Sequence, residues 1–338
     1  MIPKEEVKKI LCIKPRGIGD ILLSTIVLEN LRASFPHSEI HYLTEEFAKR
    51  AVENNTLVTK ILTFHKKDFV LSIIKKVRKE KYDLVFDFWS NPKTAQITFL
   101  SGAKYRVGFE KRGRKYAYNY KGINGTMGKH AAEDNLVLLK TVDVPIISKN
   151  ILYQTTQEEK QFAEKFFESI NHQYERKLIG IIPSGGWESK RCDASKWIEI
   201  CNEINKNYNI KFLILWGPGD EKDAQLILDG VDPKPIMIPE TNFGQLSAFI
   251  EKCDLIIAND SGPMHTAAAL GKPTLGIFGP TAPEAHRPYS DNSSYVIKSD
   301  LHCIICTKLV CPFNHECMLE LSVAQVMGEI KKLMKFVA

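Results

Sequence analysis

Three short stretches of the sequence combine glycines with charged side chains where a strand pattern gives way to a helix pattern. The first is "LCIKPRGIGDILLS", residues 11–24, in which Gly17 and Gly19 precede Asp20. A carboxylate at the start of a helix can act as a general base toward a substrate hydroxyl group. The same acid also suits a helix start for structural reasons alone, because it complements the helix dipole. Taken alone, this stretch favours the structural explanation.

The second stretch is "PSGGWESKR", residues 183–191, which follows an apolar strand pattern. Gly185 and Gly186 allow a ligand to approach the backbone, and Lys190 and Arg191 supply positive charge. This combination suits a diphosphate group. The stretch lacks the G-x-x-x-x-G-K-[ST] spacing of a P-loop, so a glycine turn followed by solvated bases also explains it.

The third stretch, "ANDSGPMHTAAALGKPTLGIFGPT", spans residues 258–281 and carries the strongest signal. Asp260, Ser261, Gly262 and His265 cluster at the start of a helix in which Pro263 suits the first turn and Ser261 can cap. Backbone N–H groups at a helix start form an anion site. A histidine in the first turn of a small, apolar helix favours a functional interpretation over a buried structural one.

Four of the eight cysteines lie close together near the C-terminus. They follow a C-x2-C-x4-C-x5-C spacing at Cys303, Cys306, Cys311 and Cys317. Four thiolates can hold zinc or iron tetrahedrally, and such a site would be structural because it leaves no open coordination position. A redox-labile pair of thiols, or cysteines that only pack, explains the same spacing.

Composition narrows the class of protein. The chain has 338 residues, 44% of them hydrophobic and 25% charged, which predicts a globular protein of two domains. Its net charge of +6 suits a phosphate-bearing substrate or an anionic membrane surface better than nucleic acid. The sequence contains neither a secretory signal pattern nor an apolar run near the ~20 residues of a membrane span, which predicts a cytoplasmic protein.

Short apolar runs alternate with amphipathic helix patterns along the whole chain, which predicts an α/β fold with parallel sheets. The pattern restarts after a charged helical segment. We therefore predict four segments, which are a first domain over 1–154, a linker helix over 155–177, a second domain over 178–320 and a last helix over 321–338. Two Rossmann-like, doubly wound domains that face each other across a cleft would bring two strand–glycine–helix junctions together.

Three motifs resemble those of the glycosyltransferase family 9 heptosyltransferases. They are "KPRGIGDILLSTIVLENLR", "SGGWESKRCDASKWIEI" and "NDSGPMHTAAALGKPTLGIFGPTAP", in the order that the family has them. The resemblance covers the whole chain and implies a GT-B fold, with an acceptor-binding first domain and a nucleotide-sugar-binding second domain. It further implies inverting transfer of heptose from ADP-heptose to a lipopolysaccharide inner-core acceptor without a catalytic metal. Clustered cysteines before the last helix occur in part of this family.

The resemblance also assigns roles to residues. It implies that Asp20 and Lys190 are catalytic, as the general base and the phosphate-binding lysine. The donor-binding residues that it implies are Gly185, Gly186, Lys190, Glu221, Asp260, Ser261, Gly262 and His265. The acceptor-binding residues that we predict are Arg16, Gly17 and Arg106. One departure is that Cys192 and Asp193 stand where the family usually has Trp-Pro, which affects the wall of the donor pocket.

Several alternatives stay open from the sequence. The donor could be another nucleotide sugar, or the acceptor a protein. A dinucleotide-dependent oxidoreductase could use Glu45 to bind a ribose, although Leu22 stands where its glycine fingerprint needs a third glycine. A non-catalytic nucleotide-binding protein is a further alternative. Contact with the inner membrane, if it occurs, would come from the basic surface rather than from an inserted helix.

Overall fold

The computed structural model describes residues 2–124, 130–170 and 176–337. The chain divides into two compact units, Met1–Tyr153 and Gln154–Ala338. Each unit is built around one six-stranded sheet whose strands are all parallel. The predicted α/β class with two doubly wound, Rossmann-like units is confirmed.

The sheet of the first unit has the strand order β3-β2-β1-β4-β5-β6, which is the order of a dinucleotide-binding fold. Its strands are β1 (Lys9–Ile13), β2 (Glu39–Glu45), β3 (Lys60–Phe64), β4 (Leu84–Asp87), β5 (Tyr105–Phe109) and β6 (Tyr120–Gly122). Ile13, the last residue of β1, pairs with Leu43 of β2 and Asp87 of β4. The loops that follow these central strands therefore meet at one edge of the sheet.

The helices of the first unit cover both faces of this sheet. They are α1 (Ile18–Ser24), α2 (Leu28–Ser34), α3 (Val70–Glu80), α4 (Pro92–Phe99) and α5 (Ala131–Lys140). The sequence predicts one continuous helix from Asp20 to Pro36, and this prediction is wrong in the middle. A 3-10 turn over Thr25–Val27 interrupts it. The Ser24 and Thr25 hydroxyls donate to carbonyls three residues back, at 2.6 and 2.7 Å, which competes with regular helical bonding.

The second unit repeats the same topology with the strand order β12-β11-β10-β7-β8-β9. Its strands are β7 (Lys177–Ile182), β8 (Ile210–Ile214), β9 (Ile236–Met237), β10 (Leu255–Asn259), β11 (Thr274–Phe278) and β12 (Ser293–Ile297). The central strands β7 and β10 pair through Ile182 and Ala258. The glycine loop after β7 and the polar cluster after β10 are therefore neighbours at the carboxyl edge of this sheet.

Eight α-helices of the second unit lie within the described residues. They are α6 (Gln157–Ser169), α7 (Ala194–Asn207), α8 (Glu221–Gly230), α9 (Phe243–Lys252), α10 (Gly262–Ala269), α11 (Pro283–His286), α12 (Glu316–Leu319) and α13 (Val323–Leu333). The segment that we predict as a linker, 155–177, contains α6, whose Ala163 and Phe167 are buried in the core of this unit. Residues 171–175 of that segment lie outside the described residues.

The strong caps of this unit follow the sequence pattern. Asp193 caps α7 by accepting the Ser195 amide at 2.9 Å. Thr156 and Glu159 form a capping box at the start of α6. Across the three described ranges of the chain, none of the helices has both the length and the apolar character that crossing a membrane requires.

Candidate active site

The first polar junction lies where β1 leads into α1. Gly17 is the N-cap of α1 and has a φ of +82°, a conformation that favours glycine. Asp20 lies in the first turn, and its carboxylate folds back against this glycine. A Cβ atom added to Gly17 would lie 2.2 Å from Oδ2 of Asp20. The glycine therefore makes room for the carboxylate, and both stand at the carboxyl edge of the first sheet.

A buried lysine that sequence reasoning missed lies beside this carboxylate. Lys14 follows β1 directly, is only 8% exposed, and its Nζ donates to the Phe88 carbonyl at 3.3 Å. The ammonium also lies 5.2 Å from the centre of the Trp89 ring. Burial lowers the pKa of Lys14, and the negative charges of Asp20 and Asp87 oppose that shift. A lysine directly after a buried strand was the signal that could have identified it.

The loop after β4 is fixed by a buried acid. Asp87 accepts hydrogen bonds from the amides of Trp89 (3.1 Å) and Ser90 (2.8 Å) and from the Tyr118 hydroxyl (2.7 Å). Burial raises the pKa of Asp87, and these hydrogen bonds oppose the shift by favouring the carboxylate. Ser90 has a φ of +51°, so the loop turns sharply back toward the sheet edge. Asp87 therefore shapes the edge next to the Asp20 junction.

Two basic side chains converge on this same loop. Nζ of Lys111 donates to the Trp89 carbonyl at 3.2 Å, and the guanidinium of Arg114 donates to the Ser90 carbonyl at 3.1 Å. Burial and the neighbouring Arg114 lower the pKa of Lys111. Lys111 and Arg114 thus add positive charge, beside that of Lys14, to the loop after β4 at the carboxyl edge of the first sheet.

The predicted acceptor residues Arg16 and Arg106 occupy different parts of the unit. Arg16 is exposed after β1, and its Nε lies 3.6 Å from Oε1 of Glu45. The Arg106 guanidinium donates to the carbonyls of Ala103 (2.8 Å) and Ala117 (3.1 Å). These contacts hold Arg106 at the start of β5, so the structure does not bring it to the loops around Asp20.

The second polar junction contains a short ion pair. Nζ of Lys190 lies 2.6 Å from Oδ2 of Asp260, and the Lys190 and Asp260 side chains are only 15% and 5% exposed. Oδ2 also accepts the Thr281 hydroxyl at 2.6 Å. Nζ lies 4.3 Å from the centre of the Trp187 ring. The lysine, predicted from its motif alone, is thus held in place by a buried carboxylate and an aromatic face.

The start of α10 lies directly beside this ion pair. Ser261 occupies the N-cap position, but its side chain makes no capping bond. Within the described part of the chain, its Oγ is buried and has no hydrogen-bond partner. Pro263 has no N–H and the His265 amide donates to the Ser261 carbonyl at 3.5 Å, so the first-turn amides available to a ligand are those of Gly262 and Met264. His265 is buried at 6% exposure in the same turn. This junction therefore combines a cation, free amides and a buried hydroxyl group, which is suited to an anionic ligand.

The glycine loop after β7 is held by the second base of its motif. The Arg191 guanidinium donates to the Gly185 carbonyl at 3.1 Å and lies 3.1 Å from Oδ1 of Asp220. A Cβ atom on Gly186 would meet nothing within 4 Å, so this glycine borders open space. Glu221, which the resemblance assigns to donor binding, is exposed at the start of α8, and it is the preceding Asp220 that is buried.

The four clustered cysteines line one small cavity. This cavity has a volume of about 10 Å³ and is lined by Cys303, Cys306, Cys311 and Cys317. The pKa of Cys317 is raised to about 11, mainly because its thiol is buried and to a smaller extent because the other three thiols lie nearby. The thiols supply a soft donor set that suits zinc or iron. Yet across residues 2–124, 130–170 and 176–337 no group of three such side chains has an arrangement that could hold an ion.

The cysteine-containing loop also contacts the turn that carries Lys190. The Ser189 amide donates to the Leu309 carbonyl at 3.2 Å, and its hydroxyl donates to the Lys308 carbonyl at 2.5 Å. His315 Nε2 lies 2.9 Å from the Ser189 carbonyl oxygen. The residue before Lys190 is therefore bound by three hydrogen bonds to the cysteine loop, so this loop supports the second polar junction.

Solved structures share this fold. The structure of the glycosyl transferase family 9 protein from Veillonella parvula matches with a TM-score of 0.84 and 23% identity, covering 97% of each chain. The structure of E. coli heptosyltransferase WaaC with ADP matches with a TM-score of 0.72 and 17% identity, covering 96% of this chain and 99% of that one. The predicted GT-B fold is confirmed.

Sequence relatives agree with the fold. A lipopolysaccharide core heptosyltransferase, OpsX from Haemophilus influenzae, is 24% identical over 354 residues, which cover 97% of this chain and 98% of the relative. Lipopolysaccharide heptosyltransferase 1 of Campylobacter coli is 26% identical over 308 residues, covering 86% and 89%. The fold and the relatives together define the class of the protein, which is a glycosyltransferase.

The family of the chain is shown by a family model that matches most of its length. The model of glycosyltransferase family 9 (heptosyltransferase) matches residues 70–316. The chain belongs to this family, as its three motifs predicted.

Proposed function

We propose that this glycosyltransferase transfers heptose from ADP-heptose to a hydroxyl group of a lipopolysaccharide inner-core sugar, by inversion and without a catalytic metal. The observation that carries this proposal is the Lys190–Asp260 ion pair beside the start of α10. It provides positive charge and free amides for the diphosphate of a nucleotide sugar. The relatives, which are heptosyltransferases of lipopolysaccharide, suggest the sugar and the acceptor class.

In this proposal the second unit binds the donor. Lys190 has three N–H donors, and Asp260 accepts one of them at 2.6 Å. The others are free to bind the β-phosphate, whose negative charge grows as the bond to the sugar breaks. The buried hydroxyl of Ser261 is a further donor for a phosphate oxygen. Asp260 orients the lysine and does not itself contact the diphosphate.

The first unit supplies the base and binds the acceptor. Asp20 accepts the proton of the acceptor hydroxyl as that oxygen attacks the anomeric carbon, on the face opposite the leaving group. The new carbon–oxygen bond forms while the bond to the β-phosphate oxygen breaks, and ADP leaves with the electron pair. The carboxylate of Asp20 and the ammonium of Lys14 attract each other at this junction. Lys111 and Arg114 add positive charge for an anionic acceptor.

Nucleotide binding separates this proposal from its alternatives. ADP and ADP-heptose should raise the melting temperature of the protein, whereas UDP and NAD should leave it unchanged. Stabilisation by UDP instead would point to another nucleotide sugar. Stabilisation by NAD would support an oxidoreductase. That outcome is disfavoured by the salt bridge between Glu45 and Arg16, since Glu45 is the acid that a ribose would need.

Gly17 offers a test of how Asp20 is positioned. In Gly17→Ala the new Cβ would lie 2.2 Å from Oδ2 of Asp20, so the carboxylate must move. A misplacement of ~1 Å is enough to lower turnover about 100-fold. We expect this loss in the rate of ADP release, with ADP binding retained.

Gly102→Ala is the matched control for that variant. Gly102 has a φ of +85°, close to that of Gly17, and a Cβ there would meet nothing within 4 Å. It therefore tests the left-handed strain alone, which costs ~1–2 kcal/mol of stability. Equal turnover losses in both alanine variants would contradict the positioning role of Gly17.

The metal interpretation of the four cysteines stays a prediction and has a direct test. Zinc or iron in an amount equivalent to the chain, found by elemental analysis of protein purified without added metal and lost in Cys303→Ser/Cys306→Ser, would support the metal interpretation. Since the loop supports the turn before Lys190, the variant should also bind ADP more weakly. Metal-free wild-type protein with four free thiols would favour the packing interpretation.

A further inference from the structure

The two most exposed large apolar side chains in the described part of the chain lie two residues apart at the start of one helix in the first unit. Phe69 is 84% exposed and Leu71 is 71% exposed. Phe69 is the N-cap of α3, and Leu71 lies in the first turn of that helix. Single exposed apolar residues are common on protein surfaces. Two side chains that protrude this far at one helix start present a small apolar projection.

The surroundings of this projection are strongly basic. Residues 65–81, "HKKDFVLSIIKKVRKEK", contain seven lysines or arginines and two acids, a net charge of +5 in a chain whose net charge is +6. The acid of α3, Glu80, is paired with Lys60 at 2.7 Å. The inward face of α3 buries Ile73, Ile74 and Val77, so the lysines stand on its outward face. The outward face is therefore apolar at its start and cationic along its length.

We propose that this face docks the protein on an anionic lipid membrane. The docking surface consists of Lys66, Lys67, Phe69, Leu71, Lys75 and Lys79, all of which are exposed. Apolar side chains that enter the headgroup region, flanked by lysines that meet anionic lipids, are the signature of interfacial binding. A protein partner or a second copy would need a continuous apolar patch, and here lysines surround two apolar side chains.

The turn that presents Phe69 is firmly held. Asp68 accepts the His65 amide through Oδ2 at 3.0 Å, and its own amide donates to the His65 carbonyl at 2.9 Å. Nζ of Lys93 donates to the carbonyls of Asp68 (3.2 Å) and Lys66 (3.4 Å). The turn that carries the projection is therefore already ordered in the unbound protein, which lowers the entropic cost of inserting it into a membrane.

The position of this surface in the fold connects it to the reaction. The turn follows β3, which is parallel to β2 and β1, so it stands at the same edge of the sheet as the loop that leads to Asp20. Lys93 links it to the start of α4, after the loop at the end of β4. Docking through this turn brings the Asp20 edge toward the bilayer. This deepens the proposed function, on which it rests for the lipid-anchored acceptor.

Vesicle sedimentation tests the proposal directly. Wild-type protein should bind vesicles of phosphatidylcholine with one-third phosphatidylglycerol and should not bind vesicles of phosphatidylcholine alone. Lys75→Glu/Lys79→Glu should lower the partition constant about tenfold or more. Phe69→Ser/Leu71→Gln should also lower it, while all these variants keep wild-type turnover on a detergent-free, soluble acceptor fragment.

Matched substitutions elsewhere on the surface provide the controls. Lys331→Glu/Lys335→Glu changes the net charge by the same amount on exposed residues of the second unit. Leu226→Gln/Phe336→Ser removes two apolar side chains that are 49% and 56% exposed. Both control variants should bind anionic vesicles as the wild type does.

Three results would overturn the proposal. The first is that wild-type protein binds vesicles with and without phosphatidylglycerol equally. The second is that the docking variants bind anionic vesicles as the wild type does. The third is that the wild type is a dimer that Phe69→Ser/Leu71→Gln converts to monomers. The last result would make this face a contact between copies. Failure of the proposed function is distinguishable, because it would abolish ADP release with every acceptor and leave vesicle binding unchanged.

Discussion

Replacing Asp20 with asparagine should reduce the rate of sugar transfer by ~10²–10⁴-fold, the range that a general base contributes. The amide keeps the size of the side chain and its place against Gly17 but cannot accept the acceptor proton. Donor binding belongs to the second unit in our proposal, so the Kd for ADP should stay close to that of the wild type. Steady-state release of ADP and calorimetric titration with ADP measure the two quantities.

The control for this substitution is Asp143→Asn. Asp143 is exposed after α5 and has a φ of +56°, a conformation that asparagine also adopts readily. It should leave both turnover and ADP binding unchanged. If Asp20→Asn retained turnover within a few-fold of the wild type, Asp20 would not be the base, and the acid would have only a structural role at the start of α1.

Replacing Lys190 with methionine should weaken donor binding and slow transfer together, each by about 100-fold, because one cation contacts the diphosphate before and during bond breaking. The variant should also lose stability. Without Lys190 the Asp260 carboxylate, 5% exposed, stays buried beside Thr281 with no compensating positive charge. Removing one partner of a buried pair costs ~3–5 kcal/mol. Thermal unfolding and the Kd for ADP report the two effects.

A second substitution separates these effects. Lys190→Met/Asp260→Asn removes the unpaired charge, so it should recover most of the lost melting temperature without recovering turnover. Lys222→Met, on exposed α8, should change neither quantity. Recovery of turnover in the double variant would show that Lys190 acts only by neutralising Asp260, which would contradict its role in binding the diphosphate.

Much of the fold could be predicted from the sequence because its signals are local. Apolar runs such as "ILCIK" and "KLIGII" are long enough to identify buried strands, and glycines at 17 and 185 mark the turns after these two. The break within the helix over 20–36 could not be predicted. It depends on hydroxyl groups of Ser24 and Thr25, which bond to carbonyls of their own helix rather than to solvent.

Site residues that lie in a recognisable motif could be predicted from the sequence. Site residues that only the tertiary fold brings together could not. Lys190 and Asp260 each lie in a recognisable motif, and the ion pair between them joins two loops at one sheet edge. Lys111 and Arg114 come from a loop after β5 whose sequence, "KRGRK", looks like a solvated basic run. Only the tertiary fold directs them to the carbonyls of Trp89 and Ser90.

For two predicted residues, the position in the sequence did not indicate where the side chain lies in the fold. Arg106 lies in a strand that the pattern identified, but backbone carbonyls hold it at the start of that strand. Glu221 follows the glycine loop after β8 as predicted, yet its neighbour Asp220 is the one that pairs with Arg191. A shift of one residue at the start of a helix changes which side chain is buried, and sequence alone does not fix it.

The most direct test of the central claim is acceptor-dependent release of ADP from ADP-heptose. Wild-type protein is incubated with ADP-heptose, with and without deep-truncated lipopolysaccharide, in buffer that contains a chelator and no added metal. We predict rapid release of ADP only when the acceptor is present, together with a heptose added to that acceptor. Failure of ADP-heptose to bind, or release that requires a divalent metal, would contradict it.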